Sequence, residues 1–259
     1  MRKLGFLVAL TTVGALLGIA PAAAQAPPEV TAFCDAALAT DKAAEKALVE
    51  KPKQKDIQAF ETSLTQIEST APPEVAASVQ AAAAQVRTAI QSRKDPFEDP
   101  SFEQNINAID QYRYNSCGYT QLDVTGIEYE FQGLPKTAPA GKVAIRFTDN
   151  GAEFHELAIL RVKSKDSVKK LAGLSEKELA KKSEPIGGAF ATQGQTSYAI
   201  AELSKPGRYA VICHLPVGAT SEEALEKAGK KHDTKSHAQE GMIQEIKVEA
   251  GATATTAAG

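Results

Sequence analysis

Tyr209-Ala-Val-Ile-Cys213-His-Leu-Pro-Val-Gly218 is the stretch on which the reading of this chain turns. Tyr209, Val211 and Ile212 are aromatic or β-branched and favour a strand. Pro216 and Gly218 then form a turn. The strand therefore delivers Cys213 at its end. If it runs on through His214, the pleat sends the two side chains to opposite faces, so they do not grip one ion together.

Outward from this strand the texture stays β. Leu122, Val124, Ile127, Tyr129 and Phe131 alternate with polar residues, and further apolar runs lie at 143–147, 157–162, 197–201 and 242–248. Turn signals separate most of them, at Gly133 to Gly141, Asp149-Asn150-Gly151 and Lys205-Pro206-Gly207. Short strands at such spacing predict a β-sandwich or barrel over 119–250. Two polar insertions with a helical pattern interrupt it, Ser164 to Lys182 and Thr220 to Ser236. The Ala- and Thr-rich stretch 251–259 reads as a disordered tail.

Upstream, 27–118 reads as helical. Apolar residues recur three and four apart in four stripes: Val30, Phe33, Ala37 and Leu38 continuing to Leu48; Ile57, Phe60, Leu64 and Ile67; Val75, Val79, Val86 and Ile90; Phe102, Ile106, Ile109 and Tyr112. Breaks fall at Pro52, Pro72-Pro73 and Pro96 to Pro100. Four such helices with short connections predict an antiparallel four-helix bundle.

Residues 1–26 read as a secretory leader. Arg2 and Lys3 precede an apolar run from Leu4 to Ala20, and small residues at Ala22 to Ala24 and Ala24 to Ala26 suit a signal peptidase. Arg2 and Lys3 are the only charges in the leader, so cleavage takes the formal balance from −3 to −5. A mildly acidic chain without a basic stripe is not a nucleic-acid binder, and no second long apolar segment predicts a membrane span after cleavage. The expected location is extracytoplasmic, in the envelope or secreted.

Export implies an oxidising compartment in which cysteines pair unless they have another task. There are three cysteines. In an up-down-up-down bundle the start of helix one and the end of helix four share one end, which selects Cys34 with Cys117. Cys213 is left alone, as an inert buried residue, one half of an intermolecular bond, or a metal-bound thiolate.

All four histidines, His155, His214, His232 and His237, fall in the β half, and Met242 is the one methionine besides Met1. His232 in the polar insertion reads as a solvated loop residue. A β-rich domain with a lone Cys, a His upstream, a His downstream and a Met shortly after carries the donor set of a blue-copper site. Thiolate and thioether suit Cu(I), imidazole suits Cu(II), and the mixture keeps reorganisation between the two small.

Three local motifs make the resemblance specific. Asn150-Gly-Ala-Glu-Phe-His155-Glu resembles the turn that ends in the first His ligand of plastocyanin- and azurin-like cupredoxins. Tyr209-Ala-Val-Ile-Cys213 resembles the strand that delivers their thiolate. His237-Ala-Gln-Glu-Gly-Met242 repeats their His-x4-Met spacing, and Ile243 to Val248 resembles their last strand. The resemblance covers the second half of the chain and implies a Greek-key cupredoxin sandwich. It implies one copper ion held by His155, Cys213 and His237, with Met242 axial. The chain departs from the family pattern in one place: positions 214–236, 23 residues, separate Cys213 from His237 where the family uses a few. Added loop length costs little entropy, so the ends can stay in place. Cys117-Gly-Tyr119, Asp123-Val-Thr125, Gly187-Gly-Ala-Phe190 and Cys213-x-x-Pro216-Val-Gly218 also resemble exported actinobacterial-type proteins in which a helical region precedes a cupredoxin-like domain.

No Gly-rich phosphate loop and no His-x-x-Glu-His motif is present, and the expectation is not an enzyme but at most an electron carrier. One reading is an exported copper protein that transfers single electrons to a redox partner protein or handles copper. The other is a non-catalytic envelope interaction module, docking through its helical domain, on a cupredoxin scaffold that has lost its metal.

Overall fold

Proline opens three of the four N-terminal helices, because a first-turn residue needs no N–H. These are α1 (Pro28–Ala47), α3 (Pro73–Ser92) and α4 (Pro100–Ser116), while α2 (Gln54–Thr70) starts two residues after Pro52. The Asp99 carboxylate caps α4 by accepting the Ser101 N–H at 2.9 Å. The computed structural model describes residues 27–49, 51–230 and 234–250. The expected leader, His232 and the tail lie outside them.

The four helices share one core, with Phe33, Phe60, Leu64, Val79, Val86 and Phe102 buried in it. Each such side chain contributes about 1.5–3 kcal/mol of transfer free energy. A disulfide joins Cys34 near the start of α1 to Cys117 at the end of α4. Leu48 does not continue the first stripe. It caps α1 with non-helical dihedrals and is 44% exposed. The last helix carries a buried charge that no apolar stripe foretells. Arg113 donates to Asp110 at 2.7 Å and to Asp41 at 2.8 Å.

From Thr120 the chain forms two sheets. One has the order β2 (Glu130–Gln132), β1 (Thr120–Ile127), β4 (Gly141–Asp149), β7 (Thr196–Leu203). The other runs β3 (Thr137–Pro139), β9 (Ile243–Glu249), β8 (Gly207–Ile212), β5 (His155–Val162), β6 (Ser183–Ala191). Pairs β1–β4 and β3–β9 are parallel and the others antiparallel. Val143, Ile145 and Phe147 from the first sheet and Leu157, Tyr209, Val211 and Ile246 from the second share one buried cluster, so the sheets form a sandwich.

β8 lies inside its sheet and is covered on both faces. Tyr209 and Val211 point into the sandwich with Cys213. Ala210 and Ile212 point outward, under Leu171 of α5 (Val168–Leu171) and Leu179 of α6 (Glu176–Lys182). The Lys-rich insertion thus folds back as a cover, which is why the strand reads as an unbroken apolar run.

Strands β3 and β6 have weak sequence signals. β6 contains Pro185 and Gly187-Gly188, which a central strand would not tolerate, but it lies at an edge. A Cβ at Gly188 would collide with the Leu157 carbonyl of the neighbouring strand, so only glycine lets the backbones approach. The open edge of β7 is met by α4. The Asn107 carboxamide accepts the Tyr198 N–H at 2.9 Å and donates to the Thr196 carbonyl at 3.3 Å, as a neighbouring strand would. Among the described residues no helix is long and apolar enough to cross a membrane.

Candidate metal centre

Each of the four expected ligands stands at the boundary of an element. His155 is the first residue of β5 and Cys213 follows the last residue of β8. His237 opens the short helix α8 (His237–Glu240), and Met242 directly precedes β9. All four are 0% exposed. Backbone bonds lock three of them together: the Cys213 N–H donates to the Met242 carbonyl at 3.1 Å, the Ala238 N–H to the Cys213 carbonyl at 2.9 Å, and the Met242 N–H to the His237 carbonyl at 2.9 Å. Gly241 turns the chain between α8 and Met242 at φ 130°, a backbone conformation that favours glycine.

The long insertion does not spread these ends. Its neck is a short ladder in which the His237 N–H donates to the Leu215 carbonyl and the Val217 N–H to the Lys235 carbonyl, both at 2.9 Å, around a bridge between Pro216 and Ser236. Helix α7 (Glu222–Gly229) hangs beyond the neck. Cys213 Sγ and His237 Nδ1 consequently stand 3.3 Å apart.

His155 lies beside this pair without closing on it. Its ring centroid is 5.0 Å from that of His237. Its Nδ1 faces Asp149 Oδ1 at 2.9 Å, and its Nε2 is buried with no hydrogen-bond partner. Met242 is packed in the same buried cluster as Cys213. Among the described residues, no three His, Cys, Asp or Glu side chains converge on one point. His214 is exposed, unlike the buried Cys213, and its N–H donates to Glu156 Oε1 at 2.7 Å.

Carboxylates complete the surroundings, and motif reading had passed over them. Asp149 holds one imidazole. Glu153 holds the other: its Oε2 stands 2.9 Å from His237 Nε2, and its Oε1 accepts the Tyr129 hydroxyl at 3.0 Å. Asp149, Glu153 and Glu156 fall within eight residues around His155, and that density of acid beside a histidine was the available signal. Burial pushes the Cys213 thiol up to about 12, against the pull of the Glu156 N–H that donates to Sγ at 3.4 Å. Burial also holds His237 below the ordinary imidazole range, although Glu153 works in the other direction.

The donor types are those that a copper site uses. A buried thiol touches one imidazole nitrogen, a second imidazole carries an unpartnered nitrogen, and a thioether sits in the same core. In each imidazole a carboxylate faces one ring nitrogen, leaving His155 Nε2 without a partner and His237 Nδ1 turned to the thiol, and such carboxylate partners are common at metal-ligating histidines.

No family model and no curated protein matches the chain. Among solved structures it is similar to auracyanin from the photosynthetic bacterium Roseiflexus castenholzii, at 19% identity over 50% of this chain and 97% of that one, with a TM-score of 0.30. Auracyanin A, a "blue" copper protein from Chloroflexus aurantiacus, aligns at 17% identity over 50% of this chain and 98% of that one, with a TM-score of 0.32. Reduced rusticyanin aligns at 17% identity over 50% of this chain and 80% of that one, with a TM-score of 0.29. Likenesses at this level say nothing about what this chain binds.

Proposed function

We propose that this is an exported copper-binding protein with a cupredoxin-like Greek-key domain over 119–250. His155, Cys213, His237 and Met242 would hold one copper ion through imidazole, thiolate and thioether donors. The observation that carries the reading is the contact of Cys213 Sγ with His237 Nδ1 beside the unpartnered His155 Nε2. Copper bound there supplies a one-electron couple. The protein's own residues do the rest. The Glu156 N–H donates to Sγ and stabilises it as a thiolate once its proton is released. Asp149 and Glu153 orient the imidazoles. The buried surroundings exclude water, and the Met242 thioether favours the softer, reduced ion. The helical domain over 27–118 serves as the docking surface for a redox or envelope partner outside the cytoplasm.

Titration of the mature protein with Cu(II), followed by visible absorption, tests the reading. One equivalent is expected to give an intense thiolate-to-copper band that Cys213→Ala abolishes. A wild type that stays colourless removes electron transfer. Tight Cu(I) binding without a reversible potential assigns capture or delivery instead.

A second reading is an interaction module without metal, and the lack of three converging donor side chains among the described residues favours it. It requires an envelope partner whose capture is unaffected by Cys213→Ala and by chelation.

A further inference from the structure

Glu153 makes more contacts at this centre than any ligand requires. Its Oε2 accepts the Gly218 N–H at 2.5 Å and the Ala219 N–H at 3.2 Å, besides facing His237 Nε2 at 2.9 Å. Its Oε1 accepts from Tyr129, whose ring packs 4.9 Å from that of His237. The carboxylate is itself fixed. It sits in the His155 turn, two residues before His155, and reaches across to Gly218 and Ala219, directly before the insertion at 220–236, and to His237, the residue that follows it. One side chain thus joins both ends of the inserted loop to the opposite ligand turn.

We propose that Glu153 is the positioning residue that makes the interrupted ligand loop usable, by fixing the tautomer and orientation of His237. A carboxylate only accepts, so the neutral imidazole must carry its proton on Nε2 to satisfy Glu153. The lone pair then resides on Nδ1, the nitrogen that faces Cys213 Sγ at 3.3 Å. Without Glu153 either tautomer is allowed, the ring loses its anchor, and Gly218 and Ala219 at the neck lose the acceptor of their N–H groups. The inference concerns the same centre as the copper reading and depends on it only for the affinity described below.

Two measurements on Glu153→Ala and Glu153→Gln test it. In metal-free protein, ¹⁵N shifts of the His237 ring are expected to show an Nε2–H tautomer in the wild type, a mixture in Glu153→Ala, and the wild-type tautomer in Glu153→Gln, whose amide oxygen still accepts. Copper affinity, by chelator competition, is expected to fall about 10–100-fold in Glu153→Ala, the usual cost of losing a partner to a ligand, and to be largely restored in Glu153→Gln. Glu153→Ala with an unmoved tautomer overturns the proposal. So does equal loss of affinity in both variants, which would indicate damage to the loop rather than positioning. If the wild type takes up no copper, the functional reading falls, and the tautomer measurement alone decides the role of Glu153.

Discussion

Reduction of the Cys34–Cys117 disulfide is expected to cost the helical region most of its stability. The bond joins residues 83 apart in sequence, so in the oxidised protein the unfolded chain of this region is confined to one large loop. The loop-entropy relation for that separation gives about 4.5 kcal/mol at 25 °C. Small domains have net stabilities of about 5–15 kcal/mol, so the term decides whether the helices persist in mild denaturant. Reducing the protein, rather than replacing cysteines, leaves the packing around the buried Cys34 intact. The assay is urea unfolding followed by helical ellipticity, with and without reductant. Thiol titration under denaturing conditions should count one thiol before reduction and three after. With a urea slope of about 1–2 kcal/mol per molar, the midpoint should fall by about 2–4.5 M. A fall below about 0.5 M would refute the reasoning, because it would mean that the unfolded helical region is not constrained by the cross-link.

Asp110 adds a pH dependence of its own. Burial raises its carboxyl to about 6, outweighing the attraction of Arg113. The native state therefore binds this proton more tightly than the unfolded chain. Its contribution is fully present below the unfolded value and is lost as pH rises through about 6, a loss of about 3 kcal/mol. The stability of the wild type minus that of Asp110→Asn should decline by about that amount between about pH 3 and pH 7, and a flat difference would count against it. Cys213, 0% exposed with its thiol pushed up to about 12, should resist iodoacetamide at pH 8 in the native metal-free protein. Labelling at the rate of a free thiol, without denaturant, would show that the centre is open.

The strand ending in Cys213, the Asn150–His155 turn and the His237–Met242 spacing could be read because strand propensity, turn residues and donor chemistry act over a few neighbouring positions. The helical stripes could be read for the same reason, and failed only at an end: Leu48 fits the period but lies just past the last helical residue. Strands β3 and β6 could not be read, because an edge strand with Pro185 and Gly187-Gly188 is held by its neighbour and not by its own propensity.

By itself the sequence determined the order of the four N-terminal helices and of the stronger strands, the pairing candidates among its cysteines and the four candidate donors. Each of these rests on residue type and short-range spacing. Tertiary structure alone decided which groups meet. The ladder at 215–217 and 235–237 brings His237 to Cys213 across the insertion. Asp149 takes Nδ1 of His155 and leaves Nε2 unpartnered. Glu153 spans from one ligand turn to the other. Such contacts join residues up to 84 positions apart, and which ones form is set by the stacking of the two sheets and the closure of the loops between them, which no local pattern encodes.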